Sequence, residues 1–316
     1  MGAPPPLRLH GSGARAAWSV GLDRRTIEDE PDRCEDDFQI DPSRGVAVVA
    51  SGRGAIGAQG RPAAVLAAWS VVGEASRPGE AGDARLDAGL RRAHEAVDRL
   101  TWTWRGPLKP SCSAAAMLLD GDRLSIAHVG AARISRIERG RVHPWIREHT
   151  VAAAFAAEGR ALPPELAPVA RAPTRSLGEG PPVHARASAP ARSGDAFLIA
   201  SACLHAVLDD LEIADALALS RPWTDDPTDL PDRIEALTAR VRGAIDFLSL
   251  ALALVRVVAE PGPRAAVGGS RRPAESWLFQ PGRPLPEPPP RWRRDAVGGG
   301  PDRAWFDEVA GPLYAL

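Results

Sequence analysis

Residues 34–55 read CEDDFQIDPSRGVAVVASGRGA, and two apolar runs with a short polar segment between them stand out in this stretch. The runs are residues 38–40 and 46–50. The segment between them, DPSRG, is made of residues that favour tight turns. The pattern predicts two antiparallel strands joined as a β-hairpin.

Strand and helix patterns continue on both sides of this hairpin. A strand is predicted at residues 16–22, and a helix is indicated by apolar residues at alternating steps of four and three, namely Leu86, Leu90, Ala93, Val97, Leu100 and Trp104. Further strands are predicted at 113–119, 123–129, 132–138, 142–146, 183–188, 196–201 and 248–258, and helices at 151–157, 211–219 and 229–242. Separate runs of strands and helices indicate an α+β layered domain rather than βαβ repeats.

Composition divides the chain into three parts. Residues 1–14 are expected to be a flexible N-terminal arm, and residues 15–260 one folded domain. Residues 261–316 form a tail rich in Pro, Gly and Arg. Its last segment carries aromatic residues, among them Trp305, Phe306 and Tyr314, so the tail is either a docking element or a plain disordered extension.

Charge, apolar runs and cysteine spacing limit the expected partners and location. With 39 basic and 40 acidic residues, the chain has no basic excess that would indicate nucleic acid. No apolar run approaches the roughly 20 residues of a membrane span. Cys34, Cys112 and Cys203 lack the spacing of a zinc site or a disulfide framework, which favours a reducing, cytoplasmic location.

The hairpin stretch resembles the first motif of the metal-dependent protein phosphatases of type 2C, the PPM family, with unbroken spacing over its 22 positions. The resemblance continues along most of the chain, in residues 124–142, 148–150, 174–178, 194–213 and 246–255. It implies two central antiparallel β-sheets sandwiched between helices. It also implies the family's activity, which is hydrolysis of phosphoserine and phosphothreonine by a water activated between two Mg²⁺ or Mn²⁺ ions.

The residues at the implied metal site are only partly of the family's type. Glu35, Asp36 and Asp246 keep carboxylates and would form a remnant acidic pocket. The implied metal-ligand positions that have degenerated are Ser51, Gly52, Ala131 and Ala202. Since even residues behind the ligands affect metal affinity, the loss of several ligands predicts that no intact catalytic site and no metal cofactor remain.

Two further assignments around this site concern its positive charge and its register. The position implied for the phosphate-binding arginine is Pro31, for which Arg24 or Arg33 could substitute. An alternative register would place the first acidic motif at Glu28 and Asp29. Arg53 is predicted to reach Asp36 or Asp246 and to stand in for missing cations, because guanidinium binds carboxylates with two hydrogen bonds.

Other motifs allow rival interpretations. Residues 52–57 form a G-x-G-x-x-G after a predicted strand, which is the context of dinucleotide binding, although a simple strand-to-helix turn is favoured. Cys203 and His205 could be a nucleophile pair, but a buried cysteine is the better interpretation. His128, within an apolar strand, is expected to be a core histidine.

The function expected from this sequence is that of a pseudophosphatase, a binding or regulatory module in bacterial serine/threonine phospho-signalling. Its expected partner is a protein, either a phosphoprotein or a kinase. One alternative is a weakly active metal-dependent phosphatase. Another is a structural module of an assembly that recognises no phosphate.

Overall fold

The computed structural model describes residues 7–13, 16–25, 35–41, 44–54, 60–104, 108–218, 229–244 and 248–257. Its strands are β1 (Leu7–Gly13), β2 (Ala16–Arg25), β3 (Asp36–Asp41), β4 (Val46–Arg53), β5 (Ser111–Asp120), β6 (Arg123–Val129), β7 (Arg133–Glu138), β8 (Arg141–Pro144), β9 (Ala185–Pro190), β10 (Ala196–Ala200) and β11 (Leu248–Val257). Its helices are α1 (Arg61–Ala75), α2 (Gly82–Thr103), α3 (Val151–Ala157), α4 (Ala202–Val207), α5 (Asp210–Ala216) and α6 (Leu230–Ala244), with a 3₁₀ turn at Pro164–Val169.

The strands form two antiparallel sheets that pack face to face. The six-stranded sheet has the order β1-β2-β11-β10-β7-β8, and the five-stranded sheet has the order β3-β4-β5-β6-β9. Helices α1 and α2 cover the five-stranded sheet, and α4, α5 and α6 cover the six-stranded sheet. The predicted α+β sandwich is confirmed.

Strand β4 explains why the hairpin stretch reads as a continuous apolar run. Val48 and Ala50 face helices α1 and α2, whereas Ala47 and Val49 face the space between the two sheets. Both faces of the strand are therefore buried, and a strand buried on both faces needs no polar residues in alternation. The predicted hairpin is confirmed, with Asp36 paired to Ser51 at its open end.

Helix α2 confirms the spacing of four and three. Leu86, Leu90, Ala93, Val97 and Leu100 are fully buried in the core beside α1. Trp104, the last residue of the pattern, is partly buried against the same core. The apolar stripe thus holds α2 on the five-stranded sheet through burial of one face.

The predicted flexible arm at residues 1–14 is wrong for Leu7–Gly13, which form β1. This strand pairs with β2 from Leu7 opposite Leu22 to Gly13 opposite Ala16. It lies at the edge of its sheet, where backbone pairing to one neighbour defines the strand and the sequence pattern carries little signal. The predicted 261–316 tail lies outside the described residues, and no helix in the described ranges combines the length and apolar character of a membrane span.

Candidate functional site

A row of polar side chains crosses three strands of the five-stranded sheet. The register places Asp36 on β3 opposite Ser51 on β4, and Ser51 opposite Ser113 on β5. These positions lie on the same strand faces as Phe38, Val49 and Ala115, which pack between the sheets. Asp36 is only 2% exposed. One carboxylate and two hydroxyl groups therefore stand side by side at this end of the sandwich.

The turn between β6 and β7 closes over this row. The Ala131 N–H donates a hydrogen bond of 3.0 Å to the Ser113 Oγ. Gly130 has a φ of +82°, and a Cβ there would lie 2.1 Å from the same oxygen, so only glycine fits. The structure thus brings together Asp36, Ser51 and Ala131, three positions that the family resemblance assigns to one site.

Glu35 and Gly52 take part in a backbone contact beside this row. The Gly60 N–H donates to the Glu35 Oε1 at 2.9 Å, and the Gly52 N–H donates to the Glu35 carbonyl oxygen at 2.9 Å. Burial raises the pKa of Glu35, and backbone hydrogen bonds from Gly60 and Gly54 oppose that rise. Glu35 therefore ties the end of β4 to the start of α1.

The other candidate residues for the metal and phosphate site do not belong to this row. Ala202 is the first residue of α4, directly after the fully buried Ser201, whose Oγ accepts the Ala251 N–H at 3.2 Å. Asp246, Arg33, Pro31 and the alternative acidic pair Glu28 and Asp29 lie outside the described residues. Arg24, at the end of β2, pairs with Ser249 at the start of β11.

Arg53 does not make the predicted contact to Asp36. Its side chain is exposed, and within the described ranges it has no ion pair. The reason lies in the register: β3 begins at Asp36 opposite Ser51, so Arg53 extends beyond it and pairs only with Ser111 of β5. The other predicted partner of Arg53, Asp246, lies outside the described ranges.

The described part of the site offers few metal ligands. Within it, no group of three or more His, Cys, Asp or Glu side chains is placed to hold a metal ion. Asp36 contributes a carboxylate, Glu35 is engaged by Gly60, and Ser51 and Ala131 have no carboxylate. Since Mg²⁺ is usually held by one or two carboxylates with waters completing its shell, a two-metal site needs several carboxylates, whereas this row contains one, that of Asp36.

The topology decides two of the rival interpretations. After the glycine-rich segment the chain continues through α1 and α2 into β5, which is antiparallel to β4, so the βαβ unit of a dinucleotide site is absent from this part of the structure. For Cys203 and His205, the His205 Nδ1 lies 3.2 Å from the Arg133 Nη1. This ring nitrogen of His205 therefore faces an arginine of β7.

Two histidines contact each other next to the β6–β7 turn. The sequence predicted a core position for His128 and gave no prediction for His149. The rings of His128 and His149 stack with centroids 4.7 Å apart, and the Gly130 N–H donates to the His149 Nδ1. Burial, followed by the charges of His149 and His184, lowers the pKa of His128 to about 3. The pKa of His149 is lowered to about 4, mainly by burial and to a smaller extent by the charges of Arg175 and His184.

These lowered pKa values predict acid sensitivity. In the unfolded chain the two imidazoles take up protons below about pH 6.5, whereas in the folded chain they remain neutral until about pH 4 or lower. The free energy of unfolding should therefore fall as the pH drops through this window. The His128 contribution is roughly 4 kcal/mol by about pH 3, since one pKa unit is worth about 1.4 kcal/mol.

Urea unfolding at several pH values measures this effect. His128→Gln should flatten the dependence below pH 6.5, whereas the control His143→Gln, at an exposed position of β8, should leave it unchanged. Equal slopes for His128→Gln and the native chain would show that His128 is not the group responsible.

Comparisons with known proteins bear on the fold. No family model matches the sequence, and no curated protein matches it. The structure is similar to that of the serine/threonine phosphatase PstP/Ppp from Mycobacterium tuberculosis, with a TM-score of 0.65, 21% identity, and coverage of 77% of this chain and 99% of that one. It is also similar to PppA, described as a key regulatory component of T6SS in Pseudomonas aeruginosa, with a TM-score of 0.60, 21% identity, and coverage of 78% and 98%.

One comparison corrects the expectation that no metal cofactor is involved. The catalytic domain of PstP, crystallised in complex with two manganese ions, has the same fold, with a TM-score of 0.62, 23% identity, and coverage of 77% and 98%. The expectation of no cofactor is at odds with this relative, and Mn²⁺ is the ion with which this chain has to be tested. The resemblance read from the motifs is confirmed in the fold: this chain has the fold of the PPM-type serine/threonine phosphatases.

Proposed function

We propose that this chain is a PPM-fold protein with impaired phosphatase activity that acts as a binding and regulatory module in bacterial serine/threonine phospho-signalling. One observation carries the proposal. Asp36 stands beside the hydroxyl groups of Ser51 and Ser113, and the Ala131 N–H contacts Ser113, whereas the resemblance implies carboxylates at positions 51 and 131.

The chemistry of this row supports reduced catalysis. A neutral serine hydroxyl supplies less negative charge than a carboxylate to a hard divalent cation, and an alanine methyl supplies no ligand. The Ser113 Oγ and the Glu35 carboxylate are in addition occupied by the backbone N–H groups of Ala131 and Gly60. These contacts stabilise the local fold and leave fewer groups to hold a metal-activated water.

A regulatory role is supported by the fold and by one structural relative. PppA, whose structure is similar, is described as a regulatory component of a secretion system. A PPM fold with an altered site is suited to binding a phosphorylated protein or a kinase without rapid hydrolysis. The proposed partner is therefore a protein of a phospho-signalling pathway, and the alternative of a structural module would bind no phosphate.

A weakly active metal-dependent phosphatase is the second candidate. It is favoured by the buried Asp36 and by the manganese ions of the PstP catalytic domain. The two candidates differ in turnover with Mn²⁺.

The native chain is expected to hydrolyse p-nitrophenyl phosphate and phosphothreonine peptides, with millimolar Mn²⁺, at well below the roughly 1 s⁻¹ at which enzyme turnover usually begins. The physical reason is the substitution of hydroxyl and methyl groups for carboxylates at Ser51 and Ala131. The PstP catalytic domain, assayed in the same buffer, is the control for metal loading. Turnover of about 1 s⁻¹ or more would refute the proposed impairment.

A further inference from the structure

A cavity of about 340 Å³ lies away from the row of polar side chains, between strands β7 and β8, the segment after β8, and helix α3. Its lining residues are Arg133, Pro144, Arg147, Glu148 and Ala153. Ligand sites in proteins begin at about this size. The cavity has two guanidinium groups against one carboxylate, so its lining has a net positive charge.

Arg133 is held in one orientation by groups from three separate segments. Its Nε donates to the Glu148 carboxylate, and its Nη1 donates to the Asp210 Oδ1 at 2.7 Å and lies 3.2 Å from the His205 Nδ1. Its side chain is 15% exposed. A guanidinium fixed in this way loses little conformational freedom when it binds a further group.

Donors in this cavity remain open. The Arg133 Nη2 makes no hydrogen bond in the described part of the structure, and the Arg147 guanidinium makes none there either. Glu148 and Asp210 both contact Arg133, so the two carboxylates balance the charges of Arg133 and Arg147, while the donors of Arg147 stay open. Arg171 adds to the positive potential, since its charge acts on the same His205 that contacts Arg133. Open arginine donors are suited to an oxyanion, phosphate above all.

The cavity is distinct from the candidate metal site. Ala132, directly before β7, and Ile134 of β7 face the space between the sheets, so Arg133 between them faces the opposite side of the strand. There it meets His205 of α4 and Asp210 of α5 on the outer, helical layer. Asp36 and Ser51, in contrast, face the space between the sheets.

We propose that this arginine cavity binds the phosphate group of a phosphorylated serine or threonine in a partner protein. Arg133 and Arg147 would donate to the phosphate oxygens, which is how arginine clusters recognise phosphorylated motifs. Leu211, which is 75% exposed next to Asp210, provides an apolar surface for neighbouring residues of the segment. The inference rests on the proposed function only for the idea that the partner is a phosphoprotein.

Fluorescence anisotropy of the full chain in EDTA tests this proposal, with a labelled peptide library that has a fixed central phosphothreonine and the same library with threonine. The phosphorylated library should bind more tightly. Arg147→Met should weaken its binding by about tenfold or more, the cost of losing a charged hydrogen-bonding partner. Arg147→Lys should retain part of the affinity. The control Arg44→Met removes another exposed arginine, at the β3–β4 turn, and should have no effect.

Other outcomes of this experiment distinguish the proposal from its alternatives. Equal binding of both libraries, or native affinity in Arg147→Met, would overturn the proposal. Binding that appears only when Mn²⁺ replaces EDTA, or that is lost in Asp36→Asn but not in Arg147→Met, would place the phosphate at the candidate metal site. Inorganic phosphate that competes as tightly as the peptide would identify a free-anion site instead. High phosphatase turnover together with Arg147-dependent binding would refute the proposed impairment but not this cavity.

Discussion

Gly52→Ala is expected to destabilise the protein by about 3 kcal/mol or more, which is at the upper end of single-substitution effects. A Cβ at Gly52 would lie 2.2 Å from the Gly60 carbonyl oxygen, 2.4 Å from the Gly60 carbonyl carbon and 2.6 Å from the Glu35 carbonyl oxygen. All three atoms belong to the backbone, so no side chain can rotate away to make room. The substitution must separate β4 from the start of α1 and disturb the Gly52–Glu35 hydrogen bond.

Chemical denaturation of Gly52→Ala beside Gly243→Ala measures this effect. Gly243 lies near the end of α6, and a Cβ there meets no atom within 4 Å. The control should be neutral or slightly stabilising, because alanine favours helix by up to about 1 kcal/mol over glycine. If both variants unfold at the same urea concentration as the native chain, the close approach of Gly52 and Gly60 is not a feature of the folded protein.

A double substitution, Ser51→Asp with Ala202→Asp, is expected to raise the affinity for Mn²⁺ by about 100-fold or more over the native chain. This range follows from the 10–100-fold effect that a single residue near a metal typically has. Asp36 lies directly opposite Ser51, so a carboxylate at position 51 would stand next to an existing one. Position 202 begins α4 at the end of β10, and Asp246 precedes β11, the neighbour of β10.

Isothermal titration calorimetry with Mn²⁺ compares the two single variants and the double variant. Each single variant should gain much less than the double variant, because ligands of one ion act jointly. Glu158→Gln, at an exposed position after α3, is the control for general changes in acidic charge. A double variant no better than the native chain would mean that positions 51 and 202 do not converge on one ion.

The local sequence pattern predicted most of the fold because buried positions recur at regular intervals along strands and helices. The continuous apolar run of β4 reflects burial of both its faces, and the helical spacing in α2 reflects burial of one face. The edge strand β1 was missed because its definition comes from backbone pairing with β2. Helix α4 was missed because it is only six residues long, Ala202–Val207, and follows a strand directly.

For the site, the motifs identified the residues, and the register identified which of them meet. Asp36 and Ser51 were chosen by resemblance, and the antiparallel pairing places them opposite each other. Ser113 had no motif, yet its Oγ holds Ala131 in place. The Arg53 contact to Asp36 failed because strand β3 is shorter than β4 at that end, which sequence spacing does not record.

The sequence by itself determined the α+β class, the hairpin, the main helices and the residues that differ from the phosphatase motifs, because each depends on neighbours along the chain. Only the tertiary structure decided that Glu35 closes the β4–α1 junction and that Arg133 gathers Glu148, His205 and Asp210 beside a cavity. These contacts join segments up to 77 residues apart. Side chains that far apart meet through packing of the two sheets and their helices, and neither periodicity nor spacing specifies that packing.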